Sequence, residues 1–240
     1  MSFFDAYEIR ARIAPAFIVT SPFLLLLGAF EPQMLSSLLA SSAAVLIFLV
    51  MLYVFSFAVR HAGRKHEKKL WDSWGGPPSA VVLSESDTTF SLQTKQDICD
   101  ALASAMGIQE TRQPGWRQDT IRVQQVFGQV RQYIRQHNPK GLWDIHNAEY
   151  GFLRNLYGSW QLWLANSVLS TALCGILWFT QGGEHLLWLA IAGLAFSVTS
   201  VAVRIAVLPK AVRTAAFRYA ESAWLSFLTA TKSQESTTRS

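Results

Sequence analysis

Four long stretches of the chain contain almost no charged residue, and they limit its fold more than any other feature. They lie at about residues 13–30, 36–59, 160–180 and 186–207. A helix needs about 20 mostly apolar residues to cross a hydrocarbon core roughly 30 Å thick. Only 15% of the 240 residues are charged, against about 25% in an average soluble domain. The pattern predicts an all-α integral membrane protein with four transmembrane helices.

The first stretch has the position of a secretory signal peptide. Pro15 and Pro22 interrupt it, and Gly28-Ala29-Phe30 is not a small-x-small cleavage site. A second apolar stretch also follows at once, which is unusual after a cleaved signal. We therefore predict that the first helix is retained.

The basic residues predict the orientation of the four helices. The connectors near residues 31–33 and 181–185 contain neither Lys nor Arg. The opposite ends of the apolar stretches are flanked by Arg10, Arg12, Arg60, Arg64, Lys65, Lys68, Lys69, Arg154, Arg204, Lys210, Arg213 and Arg218. Cytoplasmic flanks of membrane helices are enriched in Lys and Arg. We predict two hairpins, with residues 1–12, residues 60–154 and the C-terminus in the cytoplasm. This orientation accounts for the net charge of +5, so no direct nucleic-acid partner is expected.

The cytoplasmic segment, residues 60–154, is predicted to be mainly helical. Residues 60–74 continue the second span, and Gly75-Gly76-Pro77-Pro78 ends it. Residues 80–83 have strand character. Helices are predicted at residues 92–106 and 117–137, with apolar faces of Ile98, Leu102 and Ala105 in the first and Ile121, Phe127, Val130 and Ile134 in the second. A further helix near Trp143 is expected to run on into the third span.

Residues 208–231 form an amphipathic pattern after the fourth span. The apolar positions on one helical face are Val212, Ala216, Ala220, Ala223 and Phe227. Trp224 suits a headgroup boundary. Two interpretations stay open: a helix lying on the inner leaflet, or a helix packed on the cytoplasmic domain. The tail, residues 232–240, is polar and is predicted to be disordered.

Two motifs on the cytoplasmic side carry a family resemblance. Trp74-Gly75-Gly76-Pro77-Pro78 follows the second span, and Tyr150-Gly151-Phe152-Leu153-Arg154-Asn155-Leu156 leads into the third. Their order and spacing resemble a family of uncharacterised bacterial membrane proteins with W-G-G-x-P and Y-G-F-x-R-N-L motifs. The resemblance covers about residues 65–160 and implies a bacterial inner-membrane location, but no activity. At the variable position of the second motif this chain has Leu153, where the resemblance leads us to expect Arg. The layout is also similar, in architecture alone, to multi-span membrane effectors of anti-phage systems.

The same motifs supply the candidate binding residues. Arg154 and Asn155, with Tyr150 nearby, are candidates to hold an anionic lipid or a signal nucleotide, or they form an aromatic belt with a snorkelling arginine. Trp74, Gly75 and Gly76 form a candidate binding loop or a helix-ending turn.

Within the spans, five residues are candidates for a pore or for helix packing. Asn166 is the most polar of them, and it either lines a polar path or bonds to a neighbouring helix. Ser170 and Thr171 suit close packing or a narrow wet pore. Pro15 and Pro22 lie on one helical face and serve as a gating hinge or as tolerated structural prolines.

Catalysis has no supporting pattern in this sequence. No serine lies in a G-x-S-x-G elbow, and no Cys-His cluster has zinc-like spacing. We expect no enzymatic activity, no metal and no cofactor, and we expect Cys99 and Cys174 to stay as free thiols. The leading hypothesis is a signal-gated membrane-perturbing or pore-forming effector, and the alternative is a membrane scaffold that anchors a cytoplasmic partner. The expected partners are the lipid bilayer, further copies of the chain, and a cytoplasmic protein or small-molecule signal.

Overall fold

A computed structural model of the chain describes residues 6–29, 42–113, 115–139 and 141–238. Within these ranges the protein is helical and has no strand, so the all-α prediction is confirmed. The connector predicted at residues 31–33 and the beginning of the second apolar stretch lie outside the described residues. Residues 80–83, which were predicted to have strand character, do not form a strand. A short helix covers Pro78–Val81 and a turn follows it.

The described helices are of the α, π and 3₁₀ types. In chain order they are α1 (Ala6–Glu8), a π-helix (Ile9–Ile13), α2 (Ala14–Thr20), α3 (Phe23–Gly28), α4 (Ser42–Ser73), α5 (Pro78–Val81), α6 (Leu92–Ala105), 3₁₀ turns at Gln109–Arg112 and Trp116–Gln118, α7 (Thr120–His137), α8 (Leu142–Gly158), α9 (Trp160–Gln181), α10 (Glu184–Ala202), a second π-helix (Val203–Val207) and α11 (Leu208–Thr238).

The described residues form two compact units. Unit 1 comprises the residues up to Glu67 together with Gly151–Val212, and unit 2 comprises Lys68–Tyr150 together with the residues from Arg213 on. The boundaries fall inside α4, α8 and α11. The chain therefore passes from one unit to the other within helices.

Two of the described helices are long and apolar enough to cross a membrane. They are α9, with a mean hydropathy of 1.6 in its most apolar window, and the helical run that begins at Glu184, with 2.2. Only 22% of the residues in either window are buried, whereas the core helix of a soluble protein is mostly buried. The first predicted span is divided at Ser21 and Pro22 into α2 and α3, and the second is described only from Ser42.

In unit 1, α9 and α10 pack along each other through small residues. The buried positions of these two helices include Ser167, Ser170, Cys174, Gly193, Ser197 and Ser200. The large apolar side chains that they expose include Val168, Leu169, Leu173, Ile176, Phe179, Trp188, Ile191, Leu194 and Val198. Small residues inside and large apolar residues outside are the arrangement of membrane helices.

Unit 2 has the opposite polarity, with a buried apolar core. The exposed surface of α11 in this unit is mostly polar, although Leu225 is 43% exposed, while Ala216, Ala220, Ala223 and Phe227 are buried. Trp224 is also fully buried, and its indole nitrogen donates a 3.0 Å hydrogen bond to the carbonyl of Ser79. This part of α11 is thus packed on its own unit, and Trp224 lies in the interior of that unit. The helix continues to Thr238, so the prediction of a disordered tail is corrected for residues 232–238.

The predicted helices of unit 2 are largely found, with changes at their ends. In α6, Ile98 and Leu102 are buried as expected, but Ala105 at the last helical position is exposed. In α7, Phe127, Val130 and Ile134 are buried, but Ile121 is 71% exposed. Ser159 separates α8 from α9, so the helix near Trp143 does not run unbroken into the third apolar stretch.

Candidate functional site

The most distinctive contact of unit 1 joins Asn155 of α8 to the first π-helix. The Asn155 side chain is 1% exposed, and its Nδ2 donates a 2.7 Å hydrogen bond to the carbonyl oxygen of Ala11. In an α-helix this carbonyl would accept from the residue four positions later, which is Pro15. Proline has no N–H, so the asparagine amide supplies the missing donor.

A second asparagine bonds to the same segment near its other proline. Asn166 of α9 donates a 2.9 Å hydrogen bond to the carbonyl of Val19, at the end of α2. Pro22 removes the helical donor for the carbonyl of Ile18, and the hydroxyl of Ser21 donates to that carbonyl at 2.8 Å. Asn166 therefore bonds across to a neighbouring helix, and both prolines coincide with breaks from regular α-helix.

Glycines allow the helices of unit 1 to approach at this point. A Cβ at Gly158 would lie 2.5 Å from the Cα of Gly63 and from the carbonyl oxygen of Ala62. A Cβ at Gly151 would lie 2.9 Å from the Cβ of Ala11. Real Cβ atoms are essentially never found within 3.0 Å of such neighbours. The close contact of α8 with α4 and with the first π-helix thus depends on small residues.

Arginines gather in unit 1 near these contacts, and two of them have carboxylate partners. Arg154 donates to Glu67 at 2.8 Å, and Arg12 pairs with Glu8. Burial lowers the pKa of Arg60, and the neighbouring charges of Arg12, Arg64 and Arg154 lower it further, while Tyr7 opposes them. Arg154 and Asn155 are thus both engaged within the protein.

Arg204 was not predicted as a site residue from the sequence, but the fold places it over two aromatic rings. It lies in the second π-helix, and its guanidinium carbon is 3.8 Å from the ring centroid of Tyr157 and 5.6 Å from that of Trp160. Its Nε is buried without a hydrogen-bond partner among the described residues. The available signal was Tyr157 and Trp160 at the start of the third apolar stretch and Arg204 near the end of the fourth.

The candidates in unit 2 belong to a helix end and an aromatic cluster. Gly75 and Gly76 have φ angles of 85° and 137°, and the N–H of Gly76 donates to the carbonyl of Trp71 at 2.9 Å. This is a glycine-terminated helix end. The ring of Trp74 contacts that of Phe217, and the indole of Trp71 donates a 3.3 Å hydrogen bond to Tyr150. Trp74 and Tyr150 therefore both have aromatic neighbours on other helices of unit 2.

The hydroxyl residues of α9 and α10 are turned toward packing. Thr171 donates to the carbonyl of Ser167 at 2.8 Å, and Ser197 donates to that of Gly193 at 3.0 Å. Ser170 is fully buried, and its hydroxyl has no partner among the described residues. A Cβ at Gly193 would lie 3.1 Å from the Cα of Thr171, so these two helices approach closely here.

Cys99 and Cys174 are both buried and unpaired. In the described part of the chain, no group of three or more His, Cys, Asp or Glu side chains is placed to hold a metal ion.

The fold and the contacts of unit 1 define an all-helical protein with two helices long and apolar enough to cross a membrane. No family model matches the chain, and neither a curated protein nor a solved structure matches it. The resemblance carried by the two sequence motifs stays a prediction.

Proposed function

We propose that this chain is a bacterial inner-membrane protein in which unit 1 crosses the bilayer as two helical hairpins and unit 2 is a cytoplasmic domain. The observation that carries the proposal is the polarity of α9 and α10. They bury mainly serine, glycine and cysteine, with Trp163 and Leu186 buried near their first turns, and they expose Leu, Ile, Val, Phe and Trp. A large exposed apolar surface of this kind needs lipid or a partner to cover it. The second hairpin corresponds to these two helices, and α2, α3 and the apolar part of α4 belong to the first.

The distribution of charge supports a cytoplasmic position for unit 2. Arg12 and Arg154 of unit 1 are both close enough to Arg60 to lower its pKa. The connector from α9 to α10 contains Gly182 and Gly183, both with positive φ, and no Lys or Arg. Lys and Arg favour the cytoplasmic side, so this connector is assigned to the outer side.

The leading function is a signal-gated, membrane-perturbing effector. The feature that supports a gate is the interrupted first segment, since α2 and α3 contain only seven and six residues. Discontinuous membrane helices are found at the substrate and ion sites of transporters, where gating takes place. In this proposal a cytoplasmic protein or small-molecule signal binds unit 2, and the helices that continue into unit 1 shift the interrupted segment.

A second candidate function is a membrane scaffold that anchors a cytoplasmic partner. The internal hydrogen bonds of Thr171 and Ser197 favour it, because hydroxyls that bond to carbonyls of their own helix contribute to packing and are not needed for a water path. In a pore, further copies of the chain would have to surround a shared axis.

Two measurements separate these functions. The full chain is expressed in bacterial cells, its presence in carbonate-washed membranes is established, and a potential-sensitive dye is followed. An effector depolarises the cells, whereas a scaffold that inserts to the same level leaves the potential unchanged. Native mass spectrometry from nanodiscs then gives the number of copies. We expect a homo-oligomer for the effector, and a clean monomer across protein concentrations would contradict a shared pore.

A further inference from the structure

Arg204 is held in a fixed place before any ligand arrives. Its guanidinium lies over the ring of Tyr157 at 3.8 Å and near that of Trp160 at 5.6 Å. Cations within about 6 Å of an aromatic centroid are attracted to the ring face. The ring of His66 packs edge-to-face with that of Tyr157, with 6.4 Å between the centroids. The Tyr157 ring that carries Arg204 is thus itself packed against a neighbour.

Arg204 has no ion pair among the described residues, in contrast to two other arginines of unit 1. Arg12 pairs with Glu8, and Arg154 pairs with Glu67. Over the described residues, no carboxylate and no hydrogen-bond acceptor is found at Arg204, and its Nε is buried. A guanidinium offers five N–H donors in a planar fork that matches phosphate oxygens. Because the Nε of Arg204 is buried, the terminal NH2 groups of its guanidinium are the donors that an anion can reach.

The residues beside Arg204 indicate where the anion comes from. Val201, Ile205 and Val207 are exposed by 36%, 71% and 53%. A single arginine among exposed aliphatic residues, at the end of a long apolar helix, is the pattern of a residue at the boundary between hydrocarbon and headgroups. A water-soluble phosphate compound would leave these aliphatic side chains uncovered, whereas a phospholipid would cover them.

We propose that Arg204, supported by Tyr157 and Trp160, binds the phosphate of an anionic phospholipid in the inner leaflet. The proposal rests on the membrane insertion of unit 1 argued above. It assigns the anion to Arg204 and leaves Arg154 and Asn155 in their contacts with Glu67 and Ala11.

The test uses the full-length protein purified in a mild detergent, titrated with phosphatidylglycerol or phosphatidylcholine while its melting temperature is recorded. Phosphatidylglycerol is expected to raise the melting temperature in a saturable way, and phosphatidylcholine much less. Arg204→Gln is expected to weaken the apparent affinity for phosphatidylglycerol about tenfold, the effect of losing a charge-assisted hydrogen bond. Arg204→Lys, which keeps the charge without the planar fork, should fall between the two.

Arg213→Gln is the matched control, because Arg213 also lies over an aromatic ring, 5.5 Å from the centroid of Phe217, but in unit 2. It should leave the affinity unchanged, and an equal loss in both variants would reduce the effect to net charge and overturn the proposal. Equal stabilisation of the wild type by glycerol 3-phosphate would contradict a lipid source.

If the Arg204 variants do not fold, the lipid preference of the wild-type protein still tests the proposal. Native mass spectrometry from nanodiscs with equal amounts of the two lipids should show retained phosphatidylglycerol, and no preference would overturn the proposal. Release of the protein from membranes by carbonate would contradict the proposed function instead, so the two failures are distinguishable.

Discussion

The side-chain amide of Asn155 donates a 2.7 Å hydrogen bond to the backbone carbonyl of Ala11, 144 residues earlier in the chain. The residue whose N–H would fill that role in an α-helix is Pro15. One proline and one asparagine, far apart in sequence, thus form a matched pair. Their contact fixes α8 against the segment that leads into α2.

The first prediction tests this pairing by a double-mutant cycle. Asn155→Ala leaves the buried carbonyl of Ala11 without its donor, which costs about 1–3 kcal/mol of unfolding free energy. In a Pro15→Ala background the backbone N–H is restored, and the cost of Asn155→Ala should fall by about 1 kcal/mol. Thermal unfolding of the wild type, the two single variants and the double variant in one detergent measures the cost of Asn155→Ala in each background. Asn147→Ala, on the same helix, is the control and should change little. An Asn155→Ala cost that is the same in both backgrounds would contradict the role of Pro15.

The second prediction concerns the close approach of α8 and α4. Gly158→Ala places a methyl group 2.5 Å from backbone atoms of Ala62 and Gly63, and overpacking of this kind costs about 1–3 kcal/mol. At Gly175 of α9 a Cβ would meet no described atom within 4 Å. Gly175→Ala should therefore be neutral, or stabilise by up to about 1 kcal/mol. The melting temperatures of the two variants provide the comparison, and equal values would show that the tight contact is absent.

The sequence predicted the helices better than it predicted their partners. The glycines at 75 and 76 indicated the end of α4 because the local backbone requirement is readable from residue type. The apolar faces of α6 and α7 were correct in their middle turns, where periodicity is strong. They failed at Ala105 and Ile121, since a residue in a terminal turn need not be covered even when it is in phase.

Contacts between distant segments could not be read from the sequence. The sequence left two interpretations of residues 208–231 open, a helix on the inner leaflet or a helix packed on the cytoplasmic domain. The hydrogen bond from the indole of Trp224 to Ser79, 145 residues away, could not be predicted from either. Asn155 was selected as a ligand candidate beside Arg154, and only the fold reveals the carbonyl of Ala11 as its partner. Arg204 was used only to predict the orientation of the helices. Its position over Tyr157 could not be predicted, because it depends on how α8 and the second π-helix pack.

The third prediction concerns Lys95, which is 1% exposed in unit 2. Its ammonium group donates to the carbonyls of Ser84 and Asp87, each at 2.6 Å, and so holds the segment that precedes α6. Lys95→Met should destabilise unit 2 by about 1.5–3 kcal/mol, the range for hydrogen bonds to charged groups. Lys69→Met, at an exposed position of α4, should stay within about 0.5 kcal/mol of wild type. Hydrogen exchange of the amides at residues 84–91 measures the local effect, and unchanged protection in Lys95→Met would contradict it.

The fourth prediction follows from the buried thiol of Cys99. Burial raises the pKa of Cys99, Asp100 adds to the rise, and Arg117 opposes it. At neutral pH the thiol should react with a maleimide only when unit 2 opens. The pKa of Cys99 is higher in the folded protein than in the unfolded chain. The buried thiol therefore contributes its full share of the unfolding free energy below the pKa of a free thiol, about 8.5. That share is lost as the pH rises through the pKa of the folded protein.

Cys99→Ala provides the control for the pH dependence. The difference in melting temperature between wild type and this variant should be constant at neutral pH and should shift against the wild type at alkaline pH. Labelling of Cys99 in native protein at the rate of a free cysteine would contradict the burial on which the prediction rests.

The most direct test of the account is the sidedness of two exposed positions, Gly183 in the connector after α9 and Ser86 in unit 2. Each is replaced by cysteine in a protein whose Cys99 and Cys174 are changed to alanine, and intact bacterial cells are treated with a membrane-impermeant maleimide. The account predicts that Gly183→Cys is labelled in intact cells and that Ser86→Cys is labelled only after the inner membrane is permeabilised. Labelling of Ser86→Cys from outside, or protection of Gly183→Cys until permeabilisation, would contradict the proposed membrane topology.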